Sequence, residues 1–162
     1  MIKLLKPEEI ENIKCEEIKY EEYDEIKKLG EEMIDYCLEN RALGLAAPQI
    51  GVFKQMFIWL NGTNSYQIII NPKYFPDEKK KTNVAEACLS YGVDNYYLTE
   101  RYKFIIAKSQ VVDTKKKMLK NISRKLSGER ALIFQHEADH IFGKTINTIG
   151  QLLQENKESQ DV

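Results

Sequence analysis

The chain has 162 residues, 43% of them hydrophobic and 30% charged, and carries a formal net charge of −1. That length suits one domain with a real hydrophobic core, and the near-neutral charge lacks the electrostatic footprint of a nucleic-acid binder. No apolar run approaches the roughly 20 residues that cross a bilayer, so neither nucleic acid nor a membrane is expected as a partner.

The N-terminal stretch Met1-Ile2-Lys3-Leu4-Leu5-Lys6-Pro7-Glu8-Glu9 lacks the apolar segment of a signal peptide. It soon turns acidic, which also argues against a transit peptide. Cys15, Cys37 and Cys88 stand in no tight pattern and read as reduced thiols, the expectation for a cytoplasmic protein.

Residues 1–20 mix short apolar pieces with many acids and carry no assignable element. From Tyr23 a helical period sets in, with Tyr23, Ile26, Met33, Ile34 and Cys37 on one face and Glu and Lys opposite. This is an amphipathic helix packed on the core, with Cys37 acting as a small buried hydrophobe. Residues 42–51 then gather small side chains and Pro48. Small side chains let another backbone come close, and a buried Gln49 needs hydrogen-bond partners. By itself the segment reads as a tight turn between a helix and a strand.

Residues 55–60 and 66–71 read as strands joined by a loop at 61–65, with Pro72 and Pro76 breaking the second run. Residues 77–81 form a charged turn. Residues 84–90 carry Cys88 on a further strand, and 102–108 and 118–125 complete the strands with a turn at 113–117. Residues 145–153 form a short terminal element, and 154–162 are polar and frayed. No shift of composition and no internal repeat marks a second domain, so residues 1–162 are expected to form one domain with 154–162 as a disordered tail.

The stretch Gln135-His136-Glu137-Ala138-Asp139-His140 is an H-E-x-x-H pattern that uses both histidines of the chain. On a helix, residues four apart lie on one face, so His136 and His140 can address one metal ion. Glu137 stands beside them, where a carboxylate takes a proton from water. Ser127 is the expected N-cap, Glu129 sits in the first turn, and Gly143 follows as a C-cap. Leu132 shares the stripe of the histidines, while Ile133, Phe134, Ala138, Ile141 and Phe142 leave little of the helix polar, so it should be buried. Cys88 lies far enough upstream for a strand to return it to this helix. By spacing alone it is either a third ligand, leaving a fourth position open as in a catalytic site, or a buried free thiol.

Three segments now stand in order: Gly44-Leu-Ala-Ala-Pro-Gln49, Glu86-Ala-Cys-Leu-Ser90 and Gln135-His-Glu-Ala-Asp-His140. Together they resemble the three signature motifs of peptide deformylases, G-x-G-x-A-A-x-Q, E-G-C-L-S and Q-H-E-x-D-H. The resemblance implies an α+β fold in which antiparallel β-sheets surround a central helix carrying the two histidines. It further implies metal-dependent hydrolysis of the N-formyl group from the formyl-methionine of nascent polypeptides. On this resemblance Cys88, His136 and His140 match the metal ligands and Glu137 the catalytic carboxylate. Gln49 and the backbone N–H of Leu89 match the groups that stabilise the oxyanion. Leu43, Gly44 and Ala87 fall where the family's backbone holds the substrate as an added strand, and Leu132 is placed to line a pocket for the methionine side chain.

The chain departs from the family pattern at Ala42 and Ala87, where the pattern has Gly, and at Tyr91-Gly92, where many members have a Pro. The segment after His140 is short and not basic, unlike the ribosome-contacting helix of many bacterial members, which leaves ribosome docking open. A Cys/His₂ donor set suits one divalent ion, Fe²⁺, Zn²⁺, Ni²⁺ or Co²⁺, with Fe²⁺ favoured in the cell by resemblance. Two alternatives have less support. A metzincin requires a third histidine where Ile146 stands, and a thermolysin-like enzyme would need Glu155 or Glu158 as a ligand. A non-catalytic relative that binds metal or peptide is the reading from a different class.

Overall fold

The computed structural model describes residues 2–62 and 65–153. Its core is organised by Met56–Leu60 (β2), an uninterrupted apolar run and therefore a strand with no solvent face. Side chains alternate across a strand, and here the alternation separates two clusters. Met56 and Ile58 pack with Ile26, Met33 and Cys37 of the helix Tyr23–Asn40 (α2). Phe57 and Trp59 pack on the opposite side, with Ala131, Phe134 and Ala138 of the helix Gly128–Ile141 (α3). The Phe134 ring meets Phe57 and Trp59 edge-on, with centroids 5.2 and 5.6 Å apart. Such pairs contribute about 0.5–1.5 kcal/mol beyond the area they bury.

Around β2 the strands Gly44–Ala46 (β1), Tyr66–Pro76 (β3), Phe104–Asp113 (β6) and Met118–Ser127 (β7) complete a five-stranded sheet of order β1-β2-β3-β6-β7. Lys81–Cys88 (β4), Gly92–Tyr102 (β5) and Gln151–Leu152 (β8) form a second sheet of order β4-β5-β8. Every pairing between these strands is antiparallel. Helix α3 packs against strands of both sheets, giving the α+β arrangement that the motifs imply. Two short helices, Pro7–Ile10 (α1) and Ile146–Ile149 (α4), lie near the ends of the described chain.

Several elements differ from the sequence reading. Residues 42–51 are not simply a turn: Gly44–Ala46 pairs with β2 as an edge strand before a 3₁₀ turn at Ala47–Ile50. Strand β3 runs through Pro72 to Pro76 because the register shifts between Ile70 and Lys73, with Asn71 at φ 49°. A bulge leaves an unpaired position where proline's missing N–H does no harm. Strand β5 was absent from the expected strands, its polar residues masking the alternation. Residues 1–20 contain α1, and residues 145–153 divide into α4 and β8. The expected tail at 154–162, with Glu155 and Glu158, lies outside the described residues, as do Thr63 and Asn64.

Both expected ends of α3 are found, with one change. Ser127 occupies the N-cap in extended conformation, yet its side chain makes no capping hydrogen bond. At the other end Gly143 (φ +67°) closes the helix, with its N–H on the His140 carbonyl at 3.1 Å and the Lys144 N–H on the Asp139 carbonyl at 2.9 Å. A Cβ at Gly143 would lie 2.7 Å from the Ile13 carbonyl oxygen, so the N-terminal segment approaches too closely for any side chain here.

Candidate functional site

Strands β1 and β4 are the outer strands of their respective sheets. The cleft lined by both and by α3 measures about 370 Å³. Leu43, Gly44, Ala87, Leu132, Gln49, Leu89, Cys88, His136 and Glu137 all line it, so the fold brings nine of the ten sequence-derived positions to one cavity. His140, the tenth, is buried behind it, its Nε2 3.5 Å from Cys88 Sγ.

Ligand atoms of Cys88, His136 and His140 lie within 4.8 Å of one another. The two imidazoles project from successive turns of α3 with centroids 5.1 Å apart, while Cys88 arrives at the end of β4, just before the 3₁₀ turn Leu89–Tyr91. The buried Cys88 thiol thus stands with the two histidines in a group that could hold a metal ion. The donor chemistry fits a divalent transition ion, being one thiol and two imidazoles on separate rigid elements. His136 Nδ1 is 2.6 Å from Glu86 Oε2, which orients the ring and leaves Nε2 for the cluster. Burial, with the neighbouring His136, pushes His140 well below its ordinary pKa and keeps it neutral, the form in which imidazole ligates. His136 is shifted the opposite way: burial opposes charge there, but contacts with Cys88 and Glu86 outweigh it.

A buried ionic network supports the histidines. Burial alone would raise the Glu86 pKa, yet hydrogen bonds from His136 and Arg101 hold it well below the usual carboxylate range. Arg101 binds Glu86 through Nε at 2.6 Å and Nη2 at 3.0 Å, and turns Nη1 to Asp139 of α3. Thr99 donates to Glu86, and Tyr74 donates to Asp139 at 2.9 Å. Asp139 lies in the H-E-x-x-H segment and Glu86 in the segment of Cys88, but nothing in the sequence pairs them. Arg101 and Tyr74 were missed altogether. Tyr97, Thr99 and Arg101 share one face of β5 and are all buried, which becomes visible only once the strand is known.

Glu137 is 5% exposed, and its Oε2 has no hydrogen-bond partner among the described residues. Burial pushes its carboxyl up to about 7. Its side chain lies directly against Gly44, where an added Cβ would fall 2.3 Å from Oε1. Gln49 is held by the short turn after β1: its Oε1 accepts from the Ala46 N–H at 2.8 Å. That bond fixes the amide so that Nε2 faces the site, 3.4 Å from Cys88 Sγ and 3.1 Å from Ser90 Oγ. Ala42 and Ala87 both line the cleft. Ile146, at the position a metzincin would give its third histidine, packs instead with Cys88 and Tyr97. Among the described residues no helix is long and apolar enough to cross a membrane.

The arrangement combines three residues that could hold a metal ion, a carboxyl with an unpaired oxygen and a fixed amide donor beside a cleft between two strand edges. Comparison with known proteins agrees with it. The family model described as polypeptide deformylase matches residues 4–154. The chain is 34% identical over 120 residues to a peptide deformylase of Buchnera aphidicola, covering 73% of this chain and 76% of that protein. It is 30% identical over 126 residues to the chloroplastic peptide deformylase 1B of Oryza sativa; the match covers 74% of this chain but only 44% of that relative. The crystal structure of peptide deformylase from Thermotoga maritima superposes with a TM-score of 0.80 at 26% identity, covering 92% of this chain and 97% of that one. By its motifs, its fold and these matches, the chain belongs to the peptide deformylase family.

Proposed function

We propose that this chain hydrolyses the N-formyl group from the N-terminal formyl-methionine of nascent polypeptides. The observation that carries the reading is the meeting of Cys88, His136 and His140 with Glu137 and Gln49 at a cleft flanked by two strand edges. A peptide laid along β1 and β4 extends them as an added strand, its main chain facing Leu43, Gly44 and Ala87. Recognition through backbone tolerates many sequences. The methionine side chain lies in the apolar part of the cleft, against Leu132.

Cys88, His136 and His140 would hold one divalent ion, which we assign as Fe²⁺ in the cell, with Zn²⁺, Ni²⁺ and Co²⁺ as substitutes. When bound, such an ion supplies Lewis acidity and lowers the pKa of a coordinated water toward neutrality. Glu137 is placed to receive the proton of the attacking water at its unpaired Oε2. Its raised pKa matches that task, since the carboxyl can both accept a proton and give it up near neutral pH. As water adds to the formyl carbon, negative charge grows on the formyl oxygen. The Gln49 Nε2–H and the Leu89 N–H would meet it, and loss of one such donor typically costs about 10²–10³ in rate. The C–N bond then breaks, Glu137 returns its proton to the departing amine, and formate leaves. We place this activity in the cytoplasm.

The test is formate release from formyl-Met-Ala-Ser by anaerobically purified, iron-loaded protein, beside a Glu137→Ala control. Release that collapses in the control supports the reading. Equal low rates in both would show a peptide binder without turnover.

A further inference from the structure

Tyr91 follows the segment that carries Cys88 and Leu89. Its ring packs against Tyr97, at 5.4 Å between centroids, within the small cluster of Cys88, Tyr97 and Ile146. Its hydroxyl reaches two residues remote in sequence. It donates to Glu11 Oε1 at 2.7 Å and lies 2.7 Å from Thr145 Oγ1, which is itself 3.0 Å from the same carboxylate oxygen. The Tyr91 backbone is also held, its carbonyl accepting from the Asn95 side chain at 2.6 Å. Glu11 is kept below the usual carboxylate range, chiefly by the Tyr91 hydrogen bond.

These contacts tie three pieces of chain. Glu11 closes α1, Thr145 caps α4 just beyond the histidine helix, and Tyr91 ends the turn that begins at Leu89. The Asn12 N–H on the Gly143 carbonyl at 2.8 Å joins the first two independently of Tyr91. The turn is therefore held at two of its three residues. Gln49 Nε2 holds Ser90 on the cleft side, and Glu11 with Thr145 holds Tyr91 on the far side. Gly92 (φ +82°) follows at once and pairs with Cys88 beyond a shift of register, so the turn closes an irregular end of the β4–β5 ladder.

We infer that Tyr91 is a positioning residue: its hydroxyl, clasped by Glu11 and Thr145, fixes the Leu89–Tyr91 turn and so sets where the Cys88 sulfur and the Leu89 N–H point. The inference rests on the proposed roles of Cys88 as a metal ligand and Leu89 as a donor. An N-terminal segment without assigned function thereby acts on the site from outside the cleft.

Tyr91→Phe removes the hydroxyl and keeps the ring, whereas Glu11→Ala removes the clasp from the other side. In Co²⁺-loaded protein we expect both to release the ion to a chelator about tenfold faster than wild type, the scale found for groups that orient ligands from outside. The thiolate-to-cobalt absorption should weaken in both, while Glu11→Gln, which keeps an acceptor oxygen, stays near wild type. In turnover, kcat should fall with KM nearly unchanged. Wild-type release rates with an unchanged cobalt spectrum in Glu11→Ala and Tyr91→Phe would overturn the assignment. Should Tyr91→Phe not fold, the Glu11→Ala and Glu11→Gln pair decides by the same readouts. Ion release and absorption are measured without substrate, so they decide the role of Tyr91 even in a chain that frees no formate.

Discussion

Gly44 and Glu137 are in such close contact that a Cβ on residue 44 would sit 2.3 Å from Glu137 Oε1 and 2.6 Å from Cδ. The neighbour is the end of a side chain, not backbone, so the fold can accommodate a methyl group by displacing the carboxylate. Gly44→Ala should therefore fold and retain its metal, yet lose about 10²-fold in formate release, as misplaced catalytic groups do. Metal content measured beside kcat separates the two effects. Wild-type kcat in this variant would remove Glu137 from the proposed chemistry.

Glu137 also makes a prediction about stability. Burial raises its carboxyl from 4.5 to about 7. A group that binds its proton more tightly when folded gives stability that is complete below its unfolded pKa and is lost as pH rises through the folded one. Glu137→Gln cannot ionise and escapes that loss. In metal-stripped protein the variant should gain on wild type between pH 4.5 and 7, by roughly 3 kcal/mol once both steps are passed. Urea unfolding at the two ends of this window measures it, and a difference that does not change with pH would contradict it.

Arg101 is 3% exposed and joins Glu86 to Asp139. Its removal leaves two buried carboxylates without their common cation. Breaking a buried pair on one side costs about 3–5 kcal/mol, so Arg101→Ala should lower the unfolding free energy of the metal-free protein by that amount, read as a fall in the urea midpoint. Because Glu86 orients His136, metal affinity should fall as well. Equilibrium dialysis against Zn²⁺ tests the second effect, and unchanged affinity would show that Glu86 does not depend on Arg101.

Metal removal tests the donor set directly. A ligand that binds only the folded state stabilises it in proportion to the logarithm of its concentration over Kd. Chelation should thus lower the melting temperature of wild type but not that of Cys88→Ala with His136→Ala. We also expect iron-loaded protein to lose activity on aerobic incubation, through oxidation of Cys88 and iron, while the nickel form persists. Equal survival of the two forms in air would count against this oxidation.

Much of the site was legible before the fold. Two histidines four apart around Glu137 define a shared helix face through the period of the helix alone. The apolar run 55–60 reads as a strand, and the amphipathic period from Tyr23 reads as a helix packed on the core. These readings hold because burial of consecutive residues is written in their hydrophobicity. Strand β5 was not legible, because Thr99, Glu100 and Arg101 read as solvated polar residues. The continuation of β3 past Pro72 was hidden for a related reason, since only the pairing with β6 shows that a bulge falls there.

Motif order and resemblance assembled the cluster of Cys88 with the histidines, but spacing alone left the thiol open. What tertiary structure decided is the set of partners that keep each group in place: Arg101 between Glu86 and Asp139, Ala46 on Gln49, Gly44 against Glu137, and Glu11 with Thr145 on Tyr91. Most of these pairings join residues that are distant along the chain, and the charges of Glu86, Arg101 and Asp139 are tolerated because their counterparts are buried beside them. Local pattern determines which face of an element turns inward. Which polar groups meet there depends on how the two sheets close on α3, and that is set by packing across the whole domain.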